Sequence, residues 1–389
     1  MVAIEKPKNY NVAIVGAGFA GLRAAEYFEK VGVNYTIFEA SDRVGGRVFP
    51  FQYNNGYLQH GAEYINGKEN EIYKIAEKLQ IFDNAQPRTP DLYLFDDGTK
   101  TIIDQKPIND AWEDGTDDED SAVLNHFGFH SILETLKKSI SIKNVKLHSM
   151  ITNINYSGDQ VVLTINSEEK LAFDHIIVTC SLGFLKKYAS VLFTPKLDEY
   201  KLGAIKDMGF GSNMKIFIEY EKPWWPEDLT TLLIANRNSK LKISEGFTVF
   251  QPNPWAKNIL VLWLAGESPR LISEKSDNEL MNEITNHLRK NMLETFVPNP
   301  VSIYRHCWIR DEFSCGSYSY LTSESVTDHA NIFEELARPI YKGISRKPIV
   351  CFAGEHTDES MYQTTIGALK SGLREARAIE SFYNDWQTA

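Results

Sequence analysis

Apolar residues near the start of the chain fall into two short blocks, NVAIV at 11–15 and NYTIFEA at 34–40. A glycine turn and an amphipathic stretch ending near Gly32 separate them. Such blocks read as buried strands and the stretch between them as a helix, so the chain opens as a βαβ unit. A helix follows with Ile72, Ile75 and Leu79 on one side, then DLYLFDD and TKTIID as a hairpin around Asp97-Gly98. A helix is expected at about 128–139, and VKLHSMITNINYS and QVVLTIN form a meander turning at Ser157-Gly158-Asp159. HIIVTC at 175–180 reads as a buried strand, and 213–265 is strand-rich. Ser276 and Glu279 form a capping box before a helix carrying Leu280, Ile284 and Leu288. The pattern closes on a strand, PIVCFAGE at 348–355, and a helix from about 365 to 382.

One strand pattern raises a chemical question. GFGSNMKIFIEY at 209–220 puts Met214, Ile216, Ile218 and Tyr220 on one face and Lys215, Phe217 and Glu219 on the other, as in a half-buried strand. Lys215 either snorkels to water from the solvent side or faces inward with its ammonium held by partners.

The 389 residues exceed one ordinary core, so two domains are expected. A net charge of −11 argues against a general nucleic-acid binder and favours cationic partners. EDGTDDED at 113–120 is a solvated loop or, read functionally, a contact for a basic partner protein. The four cysteines, Cys180, Cys307, Cys315 and Cys351, have no CxxC spacing, so a reducing compartment and no metal site are expected. No signal peptide, membrane span or C-terminal peroxisomal tripeptide is legible, which makes the cytoplasm the expected location.

Gly16, Gly18 and Gly21 form GxGxxG between the first strand and a helix opened by Phe19 and Ala20. The first glycine makes the tight turn, the second admits a pyrophosphate, and the third lets helix lie close on sheet. Glu39, at the end of the second strand, is placed to accept ribose hydroxyls. These residues point to dinucleotide binding at a helix N-terminus.

EASDRVGGRV at 39–48 follows the acid with DRxGGR, and this resembles the flavin-containing amine oxidases, which include monoamine oxidases, polyamine oxidases and lysine-specific histone demethylases. The resemblance implies FAD, bound non-covalently, with Ala40, Gly46 and Arg47 joining the glycine turn around it and Arg47 near the pyrophosphate. LQHGAEYING at 58–67 is similar to a segment passing under the flavin, which implicates Gly61, Ala62, Glu63 and Tyr64. Ile151 matches the residue whose main chain pairs with adenine. CWIRDEFSCGSYSY at 307–320 resembles the flavin-site strand of polyamine oxidases and demethylases, with Trp308 and Tyr318 walling flavin and substrate. FAGEHTDESMYQTTIGALKSGLREA at 352–376 implies cofactor contacts from Gly354, Glu355, Thr364, Thr365 and Ala368, the helix aiming its positive end at the flavin. On this resemblance Lys215 is the strand lysine that holds a water against flavin N5. Plainer readings stand beside these: Arg47 as a surface arginine, Trp308 and Tyr318 as core aromatics, and TTIGALKSG as an ordinary packed helix.

The resemblance implies an α/β FAD-binding, Rossmann-like domain built from separated segments, with an inserted α+β substrate domain containing a mixed sheet. The expected division is 1–90, 122–210 and 335–389 for FAD, and 91–121 and 211–334 for substrate. The implied reaction oxidises a small amine such as spermine or an N1-acetylpolyamine to an imine, with O2 reduced to hydrogen peroxide. Ser317 before Tyr318 and Thr364 at the second cage position favour the polyamine branch, and Cys315 lies two positions before Ser317, on the same strand face. Asn66 stands where relatives carry His or Glu, and Ile366 replaces a frequent His. Only KPINDAWEDGTDDEDSAVL fills the interval where relatives place a long helical insert. These departures keep open an alternative: an FAD-binding scaffold with little oxidase activity.

Overall fold

The computed structural model describes residues 10–83, 92–95, 100–101, 121–235, 248–292, 295–344 and 346–388. They belong to two compact units, the first comprising Met1–Phe49, Phe129–Phe210 and Asp311–Ala389, the second Pro50–Gly128 and Gly211–Arg310. The Asp97-Gly98 turn and the acidic run 113–120 lie outside the described residues.

In the first unit, β1 (Asn11–Val15), α1 (Phe19–Val31) and β2 (Asn34–Phe38) form the expected βαβ opening. The sheet continues with β3 (Val145–Lys146), β4 (His175–Val178), β5 (Ile340–Lys342) and β6 (Lys347–Phe352), in the order β5-β6-β4-β1-β2-β3. All neighbours run parallel except β5 against β6. The strand read from PIVCFAGE therefore does complete the opening sheet, lying beside β4 with Ile176 opposite Val350. Parallel strands are covered on both faces, which is why β4 is buried at every position. Helix α2 (Thr365–Thr388) lies on α1, and a Cβ on Gly372 would sit 2.1 Å from the Ala20 carbonyl oxygen. Only a glycine permits that backbone approach. The meander forms a separate sheet, in which Ile151–Asn155 pairs antiparallel with Val161–Ile165.

His175, at the start of β4, is fully buried. Its Nδ1 lies 2.6 Å from the Pro348 carbonyl and its Nε2 2.7 Å from the Tyr383 hydroxyl. Those partners suit a neutral ring that donates from Nδ1 and accepts at Nε2. Burial, opposed only in part by the Pro348 carbonyl, lowers its pKa to about 4. A depressed folded pKa means that the unfolded chain takes up the proton first. The stabilisation is complete above pH 6.5 and declines as pH falls toward 4, by about 3 kcal/mol. Thermal midpoints recorded from pH 7.5 to 4.5 should fall accordingly, and His175→Gln should flatten the lower part of that curve. An equally steep curve in the variant would refute this.

The second unit is built on a seven-stranded mixed sheet. Its order is Ser302–Arg305, Asn213–Glu219, Ile259–Ala265, Val249–Pro252, Leu232–Ala235, Leu92–Phe95 and Lys100–Thr101. Leu232–Ala235 and Leu92–Phe95 are its parallel pair. The helix Asp277–Asn291 starts with the expected Ser276–Glu279 capping box and sends Leu280, Ile284 and Leu288 into a core with Met214, Ile216, Ile218 and Tyr220. The strand Asn213–Glu219 is not half-buried, however. Phe217 is inaccessible and joins a second cluster with Tyr53, Leu58, Ile259 and Val261. The polar positions of that face are satisfied internally, Glu219 accepting from the hydroxyls of Tyr53 and Tyr304 at 2.7 Å each.

The division between units differs from the expected domains. Residues 50–83 belong with the second unit because the hairpin Pro50–Tyr53 and Gly56–Gln59 supplies Tyr53 and Leu58 to the Phe217 cluster. Residues 122–128 go with them, Val123 pairing with Tyr64. Residues 311–334 belong with the first unit, where Ser319 pairs with Phe210 and Phe333 packs into the core of the parallel sheet.

Candidate active site

In the first unit the turn after β1 has the shape its glycines require. Gly16 has φ +108°, and a Cβ on Gly21 would lie 2.0 Å from the Gly16 carbonyl oxygen. Gly18 caps α1 without any side-chain hydrogen bond, and a Cβ there would meet nothing within 4 Å. The start of α1 is therefore an uncluttered helix N-terminus with its free N–H groups and positive dipole end. Glu39, 9% exposed, closes one side of the turn. Its Oε2 accepts from Ala17 N at 2.7 Å, and its Oε1 accepts from the Ser41 amide and hydroxyl at 2.9 and 2.8 Å. Ala40, next along, is half-buried where the chain leaves β2.

The DRVGGR loop folds back on this turn. Gly45 N donates to Ala17 O at 2.8 Å, and a Cβ on Gly46 would come within 3.3 Å of Gly18 Cα. Arg43 pins the loop by donating to Gly46 O at 2.9 Å and Val48 O at 3.3 Å, its guanidinium stacked 3.8 Å over Phe49. Arg47 reaches out of the loop. Its Nη1 donates to Ser317 O and to Glu355 Oε1, both at 2.8 Å. The other oxygen of Glu355 accepts from Ser319 Oγ at 2.5 Å and Gln363 N at 2.9 Å. Burial pushes the Glu355 carboxyl up, but the Arg47 guanidinium, with His356 and the hydrogen bonds, outweighs it and holds the carboxyl below its ordinary value. Glu355 thus joins the glycine loop, the 311–320 segment and the approach to α2 through one buried carboxylate.

Of the residues expected near α2, Gly354 takes φ +140°, Thr365 starts the helix and Ala368 lies in its first turn. Thr364 is the helix cap: its hydroxyl accepts from Gly367 N at 3.1 Å and donates to Met361 O at 2.7 Å. The stretch 307–318 is not a strand. Asp311 Oδ1 accepts from Phe313 N and Ser314 N, Cys315 has φ +52° and Gly316 φ +142°, so the chain turns until the short strand Ser319–Tyr320. Cys315 consequently shares no strand face with Ser317, and Tyr318 next to it is half-buried. Ile151 opens its strand opposite Ile165 with its side chain in the core.

The second unit holds the lysine. Lys215 is 3% exposed, so the snorkelling reading is excluded. Its Nζ donates to Gly61 O at 2.8 Å and to Glu63 Oε2 at 2.7 Å, and lies 4.9 Å from the Trp263 ring centroid. Burial lowers its pKa, opposed by the Glu63 charge and hydrogen bond. Tyr64 stacks on Trp263 with centroids 6.4 Å apart, and Ala62 and Asn66 are half-buried in the same segment. The Asn66 carbonyl accepts from Asn70 Nδ2 at 3.1 Å. Trp308, 4% exposed, is fixed by Nε1 donating to His60 O at 3.1 Å, with His306 edge-on at 4.3 Å.

Sequence reasoning did not single out Arg43, Ser41, Asp311 or Ser319, nor the Glu63 side chain. Arg43 lies within DRxGGR but reads like any charged loop residue; the others have no local signature. Among the described residues no cluster of His, Cys, Asp and Glu could hold a metal ion, and no helix is long and apolar enough to cross a membrane.

A sequence model of the family described as flavin containing amine oxidoreductase matches residues 19–119 and 113–380. The chain belongs to this family. The flavin amine oxidoreductases bring FAD as cofactor, and a dinucleotide fits the open Gly18 position and the uncapped start of α1 in the first unit. The peroxisomal N(1)-acetyl-spermine/spermidine oxidase of Bos taurus is 30% identical over 274 residues, 65% of this chain and 53% of the relative. The human protein of the same name is 25% identical over 97% of this chain and 96% of its own length. Human lysine-specific histone demethylase 2 is also 25% identical, over 97% of this chain and 54% of its own. The chain thus spans about half the length of the bovine and demethylase relatives.

Proposed function

We propose that this flavin amine oxidoreductase oxidises a polyamine, with O2 as electron acceptor. The observation that carries the reading is the buried ammonium of Lys215, held by Gly61 and Glu63 on the strand that resembles the family's lysine strand. The substrate class is supported by the spermine/spermidine oxidases among the relatives.

When bound, FAD supplies the two-electron step, taking hydride from the carbon beside the amine nitrogen and passing both electrons to O2 to give hydrogen peroxide. Non-covalent cofactor binding falls to Gly16, Gly18, Phe19, Ala20, Gly21, Glu39, Ala40, Gly46 and Arg47, with Ile151, Gly354, Glu355, Thr365 and Ala368 of the same unit. The start of α1 receives phosphate, and Glu39 accepts from ribose hydroxyls. Thr365 opens a helix whose positive end stabilises negative charge. Lys215 holds a water by one N–H, and water completes the reaction by hydrolysing the imine. In the second unit, Tyr64 and Trp308 are aromatic rings of the kind that suits a cationic amine. Asn66 contributes a neutral hydrogen-bonding group for the substrate.

Purified protein assayed for peroxide across a panel of amines tests the reading. The expected result is a yellow protein that releases peroxide with spermine or N1-acetylspermine. A yellow protein inert toward every amine in the panel would overturn the proposal in favour of an FAD-binding scaffold.

A further inference from the structure

The lysine that the proposed function relies on is not alone in its pocket, and the carboxylate beside it has no assigned task. Nζ of Lys215 is gripped from one short segment at two points, the Gly61 carbonyl at 2.8 Å and Glu63 Oε2 at 2.7 Å. That segment is itself fixed. The His60 carbonyl accepts from Trp308 Nε1, Tyr64 and Ile65 pair with Val123 and Ala122, and the Tyr64 ring lies on Trp263. Trp263 stands directly opposite Lys215 in the sheet.

An ammonium has three N–H bonds in tetrahedral geometry. Fixing the directions of two of them fixes the third. With Cε in place, the Gly61–Glu63 pincer holds the rotation about Cε–Nζ at two points, and so the direction in which Lys215 points its remaining proton, where a lone carbonyl would hold it at one. The carboxylate also bears on charge. Lys215 is 3% exposed, a setting in which a lysine loses its proton unless an anion faces it. Trp263 and Phe217, whose rings lie 4.9 and 6.0 Å from Nζ, carry no charge, and among the described residues Glu63 is the ionisable group acting on it. Glu63 itself keeps 19% of its side chain exposed.

We propose that Glu63 is a positioning residue for Lys215, its carboxylate holding, together with the Gly61 carbonyl, the direction of the lysine's third N–H and keeping the ammonium charged. This rests on the reading of Lys215 as the residue that holds a water for amine oxidation. Glu63→Gln keeps the hydrogen-bonding shape and removes the charge, whereas Glu63→Ala removes both.

The test compares wild type, Glu63→Gln and Glu63→Ala in two ways. With one amine substrate throughout, so that its own titration cancels, kcat/KM is followed against pH. Glu63→Gln should move the basic limb down by at least about one pH unit, since each unit is a tenfold change in the proton equilibrium. It should lower kcat more than it changes KM, and Glu63→Ala should lower kcat further. Separately, the thermal midpoint is measured for Glu63→Gln in the wild-type and Lys215→Met backgrounds. The destabilisation should largely vanish in the second background, because no buried ammonium remains to be left unpaired. A basic limb unchanged in Glu63→Gln, or an equal loss of thermal midpoint in both backgrounds, would overturn the proposal. Absence of turnover in wild type on every amine would defeat the proposed function instead, and the thermal comparison would still decide the pairing.

Discussion

Replacing Lys215 with methionine should reduce kcat/KM for an amine substrate by on the order of a hundredfold to ten-thousandfold, the range for losing a positioned proton-handling group. The substitution is chosen so that the fold survives it. Methionine keeps the unbranched length that packs between Phe217 and Trp263, and it carries no charge to bury. Glu63 loses its partner, but a carboxylate 19% exposed can be rehydrated by a small rotation. Flavin content should therefore stay near that of wild type, because the residues proposed to receive the phosphate and ribose of FAD belong to the other unit. Steady-state peroxide release, normalised to the flavin absorbance of the same sample, gives the measurement. Turnover equal to wild type would remove Lys215 from the mechanism.

Arg47→Ala should act on the first unit and mainly on stability. Glu355 is 3% exposed and its carboxylate is compensated chiefly by the Arg47 guanidinium at 2.8 Å. Removing one partner of such a pair leaves a buried charge uncompensated, at a cost of about 3–5 kcal/mol. Arg47 retains 25% side-chain exposure, which places the effect toward the lower figure. For a unit of this size the thermal midpoint should fall by roughly 10 °C. The pH dependence has a definite sign. A carboxyl held below its ordinary value stabilises the fold above that value, and the benefit is lost as pH falls through the folded pKa. The gap between wild type and variant should therefore narrow toward acid. A gap independent of pH would show that Glu355 is not the group left stranded. Flavin occupancy should drop as well, read from the absorbance ratio of the purified variant.

Local signals in the sequence carried a large part of the fold. The turn at Gly16 and the capping box at Ser276 depend on backbone requirements that only a few residue types meet, and both stand as read; the strand read at 348–355 is present but ends at Phe352, before Gly354 turns at φ +140°. The strand Asn213–Glu219 shows where such reading fails. Lys215 and Glu219 alternate with apolar residues and imitate a wetted face, yet both are satisfied by partners more than eighty positions away. Period-two alternation reports polarity and not exposure, and a polar residue with a distant counterpart breaks the equivalence. The same limit hid the Glu63 side chain, 152 positions from its lysine. The unit boundaries failed for a related reason, since nothing within residues 50–83 announces that Tyr53 and Leu58 pack against Phe217. Arg43 sat inside a recognised motif, but its work is to tie backbone carbonyls, which sequence does not display.

The placement of β6 beside β4 also bears on how the protein is born. A ribosome delivers β1, α1, β2 and β4 while the strand that shields the edge of β4 is still more than 160 residues from emerging. Through that interval the nascent sheet offers an unpaired parallel edge, the kind of surface that recruits other chains. Chaperone dependence during synthesis, more than equilibrium stability, is where this topology would exact its toll.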